Sequence, residues 1–130
     1  MTLTDRQCLH TTRMGKTIVY ADVVGLKIKV VEWNRLLSTQ KEYVAKGVSK
    51  TLNSRHLENC ATDIVIIAAD GTPTAKLEEY RILGLHWESL GGRWGGRFVD
   101  KEAFRKKEGR EFDPSRDLGW DIFHYESVDA

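Results

Sequence analysis

The apolar run at residues 64–67, Ile-Val-Ile-Ile, constrains the fold of this chain more than any other feature. Four consecutive β-branched residues with polar sequence before them are typical of a buried strand. The strand is entered directly from residues 54–63, which read SRHLENCATD. Successive side chains of a strand point to opposite faces, so Asp63 shares a face with Ala61 and Val65. We therefore predict a carboxylate at the mouth of a buried strand, with His56 reaching over from the preceding loop.

Two segments that are distant in sequence offer candidate metal ligands. Residues 121–126 read DIFHYE, which places His124 three residues after Asp121. A catalytic zinc has three protein ligands and an open position for water, and His56, Asp63 and His124 supply that number and type of ligand. Taken alone, the spacing favours polar residues in surface loops over a metal site.

The two segments together resemble the zinc signature of the D-Ala-D-Ala dipeptidase and carboxypeptidase group of metallopeptidases. The matching residues are Ser-x-His-x-x-x-x-Ala-x-Asp at 54–63 and the pattern acid-x-x-His at 121–124. With Asp as the acid, the chain is similar to the phage L-alanyl-D-glutamate endopeptidases, which are endolysins that cut peptidoglycan stem peptides. The likeness extends from about residue 30 to residue 128 and includes VVEWNR at 30–35 and WGG at 94–96.

The resemblance implies a role for each matching residue. His56, Asp63 and His124 are expected to bind Zn²⁺, which acidifies a bound water. Asp121 is expected to act as general base and then general acid, moving a proton from the attacking water to the leaving amine. Arg35 is expected to stabilise the oxyanion of the tetrahedral intermediate, although an arginine at a strand end is as often part of a surface ion pair.

Further residues are candidates for supporting roles. Ser54, Gln40 and Trp94 are predicted to contact substrate, although Ser54 could be a simple loop serine and Trp94 a core residue. Glu126 lies two residues after His124 on the same strand face, where it would either orient that ligand or face solvent. Relatives commonly have glycine three residues after the first histidine. This chain has Asn59 there, a residue that tolerates a left-handed backbone.

The resemblance also implies the fold class, a small α+β domain of the hedgehog and D-Ala-D-Ala-peptidase type, with helices packed on one side of an antiparallel sheet. The hydrophobic periodicity favours such a mixture of helices and strands. We predict helices at residues 4–24, 38–45 and 74–90, strands at 26–30, 62–68, 93–98 and 123–128, and a solvated charged segment at 101–111.

Composition narrows the classes of partner. The 130 residues fit a single domain, which the resemblance implies is a zinc peptidase domain over residues 1–130. The 20 Lys and Arg residues nearly balance the 19 Asp and Glu residues, so nothing indicates a nucleic-acid partner. The two cysteines are too few for a disulfide framework. We expect a monomer. We also expect no stable membrane insertion, because no stretch of about 18 apolar residues occurs.

The N-terminal sequence has no continuous apolar segment and carries early charges, so we expect no secretory signal. The resemblance then implies synthesis in the host cytoplasm and release to the cell wall through a holin-type pore. The expected function is zinc-dependent hydrolysis of the peptidoglycan stem peptide, at the L-Ala-D-Glu bond. The alternatives are a D,D-carboxypeptidase or dipeptidase acting on D-Ala-D-Ala, and a zinc-containing wall-binding or virion module without activity.

Overall fold

A computed structural model of the chain describes residues 1–33, 37–47 and 58–128, with the side chains of residues 37–40 outside the described part. Helices and strands alternate irregularly along these ranges, as in an α+β domain. The helices are α1 (Leu3–Val23), α2 (Leu37–Ala45), α3 (Leu77–Ser89) and α4 (Lys101–Glu108), and the strands are β1 (Ile28–Glu32), β2 (Ala61–Ile66), β3 (Arg93–Trp94) and β4 (His124–Glu126).

The four strands form one sheet in the order β1-β2-β4-β3, and every neighbouring pair is antiparallel. The predicted strand at 62–68 is confirmed as β2, which is followed by an isolated bridge between Ile67 and Pro73. The last strand is shorter than the predicted range 123–128. The antiparallel α+β fold class expected from the sequence is therefore confirmed.

One face of the sheet carries the hydrophobic core. Ile64 and Ile66 of β2 are buried, whereas Asp63 and Val65 between them are partly exposed. This alternation matches the expected parity of a half-buried strand. Helices α1 and α3 cover the buried face, and the core residues are Met14, Ala21, Ile64, Ile66, Tyr80, Leu83, Trp87, Trp94 and Tyr125.

Trp94 belongs to this core, so the expectation that it contacts substrate is wrong. Its side chain is 0% exposed, and its indole N–H donates to the carbonyl of Ile122 at 2.9 Å. A Cβ on Gly84 of α3 would lie 2.1 Å from the indole ring. The ring is packed against the α3 backbone and does not face a cleft.

A buried histidine ties α1 to the sheet. His10 is 0% exposed, with Nε2 at 2.8 Å from the hydroxyl of Thr62 and Nδ1 at 2.9 Å from the hydroxyl of Ser127. The sequence pattern offered no partner for His10, because both hydroxyls lie more than fifty residues away. No helix in the described ranges combines the length and the hydropathy needed to cross a bilayer.

The irregular segment that follows α4 is organised by one aspartate. Asp117 accepts two hydrogen bonds from the guanidinium of Arg110, at 2.6 and 2.8 Å, and one from the backbone N–H of Asp113 at 2.8 Å. These hydrogen bonds to Arg110 and Asp113 hold the pKa of the Asp117 carboxyl well below its usual range. The ionised form of Asp117 therefore fixes the segment that leads to residues 120 and 121.

We expect a stability contribution from Asp117 that depends on pH. Its folded-state pKa is depressed, so the contribution is fully present above the unfolded value of about 3.9 and is lost as the pH falls below it. Chemical unfolding of wild type and Asp117→Asn should give a constant difference in unfolding free energy above about pH 5 and a shrinking difference below about pH 4. A difference that stayed constant down to pH 3 would contradict this role for the carboxylate.

Candidate active site

The sheet face opposite the core carries a row of polar residues on three strands. The Cα of Asp63 on β2 pairs with that of Glu32 on β1 and with that of His124 on β4. Directly paired residues of antiparallel strands project to the same face. The register of the sheet thus brings Asp63 and His124 together, although they lie far apart in sequence.

His124 is the centre of the group. Its Nδ1 lies 3.4 Å from a carboxylate oxygen of Asp63 and 3.9 Å from one of Asp121. Its Nε2 lies 2.7 Å from a carboxylate oxygen of Glu126. Both ring nitrogens therefore face carboxylates, with Glu126 on one side and the Asp63 and Asp121 pair on the other.

The charge of His124 is set by these neighbours. Burial disfavours the imidazolium and lowers the pKa, but the hydrogen bonds to Asp63 and Glu126 outweigh it and raise the pKa of His124 to about 9. Three carboxylates around one buried ring favour a positive charge at this position. A proton meets that demand in the isolated chain, and a divalent cation beside Nδ1 would meet it as well.

Asp121 is positioned by a close backbone approach. Its N–H donates to the carbonyl of Gly95 at 3.3 Å, and its own carbonyl accepts from the N–H of His124 at 3.1 Å. A Cβ on Gly95 would lie 1.9 Å from the Asp121 carbonyl oxygen. The absence of a side chain on Gly95 is what permits this close approach of the Asp121 backbone.

Aromatic side chains lie next to His124. The Phe98 ring centroid is 5.6 Å from that of His124 and 5.8 Å from that of Trp120. The N–H of Trp120 donates to the carbonyl of Phe98 at 2.9 Å, which fixes the two residues side by side. Trp120 is 58% exposed, so it is Trp120, rather than Trp94, that presents an indole ring near the site.

Arg93 lies on the same sheet face. Its Cα pairs with that of Glu126, its guanidinium carbon lies 4.6 Å from the Phe98 ring centroid, and one guanidinium nitrogen lies 3.8 Å from a Glu126 oxygen. The sequence analysis did not identify Arg93, Phe98 or Trp120 as site residues. The available signals were strand parity for Arg93 and the position of Trp120 directly before Asp121.

The described residues directly before β2 include one with a left-handed backbone. Asn59 has a φ of 55°, in the left-handed region, and among the described residues other than glycine it is the one with a positive φ. Cys60 follows it, fully buried, with its thiol 3.4 Å from the carbonyl of Glu58. Asn59 therefore adopts the left-handed backbone that asparagine was expected to tolerate at this position.

Part of the predicted site lies outside the described residues, namely Arg35, Ser54 and His56. Gln40 lies in α2, but its side chain is outside the described part as well. Within the described ranges, no group of three or more His, Cys, Asp or Glu is arranged to hold a metal ion. The two predicted ligands that are described, Asp63 and His124, offer a carboxylate oxygen and an imidazole nitrogen 3.4 Å apart, a donor chemistry that fits zinc.

Comparisons with known proteins bear on the fold. No protein-family model and no curated protein matches the chain. Among solved structures, the L-Ala-D-Glu endopeptidase ChiX of Serratia marcescens matches with a TM-score of 0.55 and 24% identity, over 79% of this chain and 68% of that one. The L,D-carboxypeptidase DacB of Streptococcus pneumoniae matches with a TM-score of 0.55 and 18% identity, over 92% of this chain and 65% of that one. The chain shares the fold of these two peptidases.

The hydrogen bond that Nε2 of His124 donates to the Glu126 carboxylate gives a prediction for Glu126→Gln. The carboxylate fixes the ring orientation of His124 and would make its other nitrogen a better ligand for the expected zinc, so we expect zinc affinity to fall about 10- to 100-fold in this variant. A competition titration against a zinc-binding dye measures the change. As a matched control, Glu102→Gln removes a carboxylate from the exposed side of α4, 3.8 Å from Lys106, and should leave zinc affinity unchanged. Equal affinities for wild type and Glu126→Gln would contradict the assignment.

Proposed function

We propose that this protein is a zinc-dependent peptidase that hydrolyses the peptidoglycan stem peptide between L-alanine and D-glutamate during phage-mediated host lysis. The convergence of Asp63 and Asp121 on one nitrogen of His124, at 3.4 and 3.9 Å, carries the proposal. The sequence signature supports the same reading. The shared fold with an L-Ala-D-Glu endopeptidase adds support from a protein whose name states that activity.

The chain's own residues divide the work of hydrolysis. Zinc, held by Asp63 and His124 together with His56, would supply Lewis-acid activation of the water and of the scissile carbonyl. Asp121 takes a proton from the attacking water as the new C–O bond forms. It then returns the proton to the leaving amine as the C–N bond breaks. Arg35 stabilises the developing oxyanion.

Glu126 and Gly95 hold this arrangement in place. The 2.7 Å contact between Glu126 and Nε2 keeps that nitrogen protonated and leaves Nδ1 to face Asp63. The contacts of Gly95 with the Asp121 backbone fix the position from which the Asp121 side chain projects. Ser54 and Gln40 remain proposed substrate contacts.

A second candidate function is removal of a C-terminal D-amino acid. It is favoured by the shared fold with an L,D-carboxypeptidase, and the sequence signature is also found in D-Ala-D-Ala carboxypeptidases. In either reaction a peptide bond is hydrolysed beside the same residues. The two functions differ in the bond that is cut.

Mass spectrometry of purified peptidoglycan digested with the protein distinguishes the candidates. The proposal expects new N-terminal D-glutamate, activity that is lost with a chelator and activity that returns with zinc. Free D-alanine would instead establish the carboxypeptidase, and neither product would mean that the substrate is not a stem peptide. The lytic role predicts clearing of chloroform-treated Gram-negative cells, and a failure to clear them would contradict it.

A further inference from the structure

Arg93 lies on the active-site face of the sheet with most of its side chain accessible. The side chain is 60% exposed, and its ion pair with Glu126 is long, at 3.8 Å. Among the described residues, none accepts a hydrogen bond from the Arg93 guanidinium within ordinary bonding distance. Glu126 is engaged instead with His124 at 2.7 Å, so the positive charge of Arg93 is only partly compensated.

The surroundings of Arg93 are aromatic. Its guanidinium lies over the Phe98 ring at 4.6 Å, and the same ring neighbours His124 and the exposed Trp120. The N–H donors of a guanidinium lie in its own plane. A guanidinium that packs on an aromatic ring can therefore still donate them to a ligand. Phe98 thus contacts both the guanidinium of Arg93 and the imidazole of His124.

We propose that Arg93 and Trp120 form a subsite that binds a carboxylate-bearing residue of the substrate, next to the bond that is cut. This inference rests on the proposed function and deepens it, because it names the substrate group that sets specificity. Arg93 binds the carboxylate, and Trp120 covers the neighbouring apolar part of the peptide. One extended residue spans about 3.3 to 3.6 Å, so the carboxylate belongs to a residue near the scissile bond.

A carboxylate is the ligand group that fits the charges around Arg93. Guanidinium pairs with planar anions through two parallel hydrogen bonds. The carboxylates of Asp63 and Asp121 lie on the far side of His124 from Glu126, where zinc is proposed to bind. Arg93 is the cation at the edge of the sheet beside Glu126, and it therefore favours an anionic residue at that edge.

Two carboxylates of a stem peptide lie next to the bonds cut in the two candidate reactions. One is the free α-carboxylate of a γ-linked D-glutamate, and the other is the C-terminal carboxylate of a terminal D-alanine. The contribution of each carboxylate can be measured by comparing a synthetic peptide that carries it with the same peptide carrying a carboxamide at that position. The experiment therefore uses two matched pairs of peptides, which differ only in a carboxylate or carboxamide at the D-glutamate or at the C-terminus.

The zinc-loaded full chain is assayed with all four peptides as wild type, Arg93→Gln and Arg93→Lys. For one pair, wild type should prefer the carboxylate by about 10- to 100-fold in kcat/KM, as expected for a charged hydrogen bond. Arg93→Gln should abolish that preference mainly through KM, and Arg93→Lys should keep part of it. The pair that responds identifies which carboxylate is bound.

A matched control tests whether the loss of any exposed arginine charge has the same effect. Arg105 lies on α4, which has no buried residue, and is 57% exposed. Arg105→Gln removes the same charge and should leave the carboxylate preference at the wild-type value. An unchanged preference in Arg93→Gln, or an equal loss in Arg105→Gln, would overturn the inference.

Binding measurements separate this inference from the proposed function. Calorimetry with the same peptides reports affinity whether or not they are cleaved. Weaker binding of one carboxylate peptide to Arg93→Gln, without hydrolysis by wild type, would reject the peptidase and retain the subsite. Hydrolysis with equal affinity for carboxylate and carboxamide would retain the peptidase and reject the subsite.

The role of Trp120 is tested in the same assay. Trp120→Ala should raise KM for all four peptides, whereas Trp120→Phe should keep KM close to the wild-type value.

Discussion

Replacing Asp121 with Asn should lower kcat/KM for stem-peptide hydrolysis by about 100- to 10,000-fold, the range expected for loss of a general acid and base. The amide keeps the size of the side chain but cannot take up a proton from water at neutral pH. Asp121 lies 3.9 Å from Nδ1 of His124, close enough to act on a water molecule beside that nitrogen. The measurement is hydrolysis of a synthetic stem peptide, followed by product chromatography.

Zinc content and the melting temperature test whether Asp121→Asn acts on chemistry alone, and both should remain near the wild-type values. Asp70→Asn is the matched control, because Asp70 bonds Thr72 in an exposed turn beyond the other end of β2. That variant should retain full activity. Hydrolysis by Asp121→Asn at the wild-type rate would exclude Asp121 as the proton-transfer group. A wild-type protein that binds zinc without hydrolysing any peptide would favour the non-catalytic module.

Local patterns predicted much of the sheet and the sheet faces on which Asp63 and Glu126 lie. The β-branched run at 64–67 predicted β2, and strand parity placed Asp63 on the face opposite Ile64 and Ile66. The same parity placed Glu126 with His124, which the 2.7 Å contact bears out. The left-handed conformation of Asn59 was predictable because relatives commonly have glycine at this position and asparagine tolerates a positive φ.

Contacts between distant segments were not predictable in this way. Trp94 and Trp120 are the same residue type, each beside a glycine, yet one is fully buried and the other is 58% exposed. The difference arises because Gly84 of α3 leaves room for the Trp94 ring, a contact between two elements that local sequence does not specify. The pairing of residues 96–98 with residues 119–120 is equally non-local, so the aromatic neighbours of His124 became apparent only from the fold.

Gly95 illustrates how such a non-local contact can control the candidate site. A Cβ at this position would lie 1.9 Å from the Asp121 carbonyl oxygen and 2.9 Å from its Cβ. Contacts this short cannot be accommodated without moving the backbone, and Asp121 also anchors the N–H of His124 through that carbonyl. Gly95→Ala should therefore displace Asp121, lower the free energy of unfolding by about 1 to 3 kcal/mol and reduce activity to a similar extent as Asp121→Asn.

Gly15→Ala is the matched control for this substitution. Gly15 lies inside α1, and a Cβ there would meet no atom within 4 Å. Because alanine is the better helix former, this variant should be more stable by about 0.5 to 1 kcal/mol and fully active. Urea unfolding measures both stabilities, and the activity assay is run at a temperature at which both variants are folded. A folded Gly95→Ala protein with wild-type activity would show that the close contact between Gly95 and Asp121 does not determine where the proposed catalytic carboxylate lies.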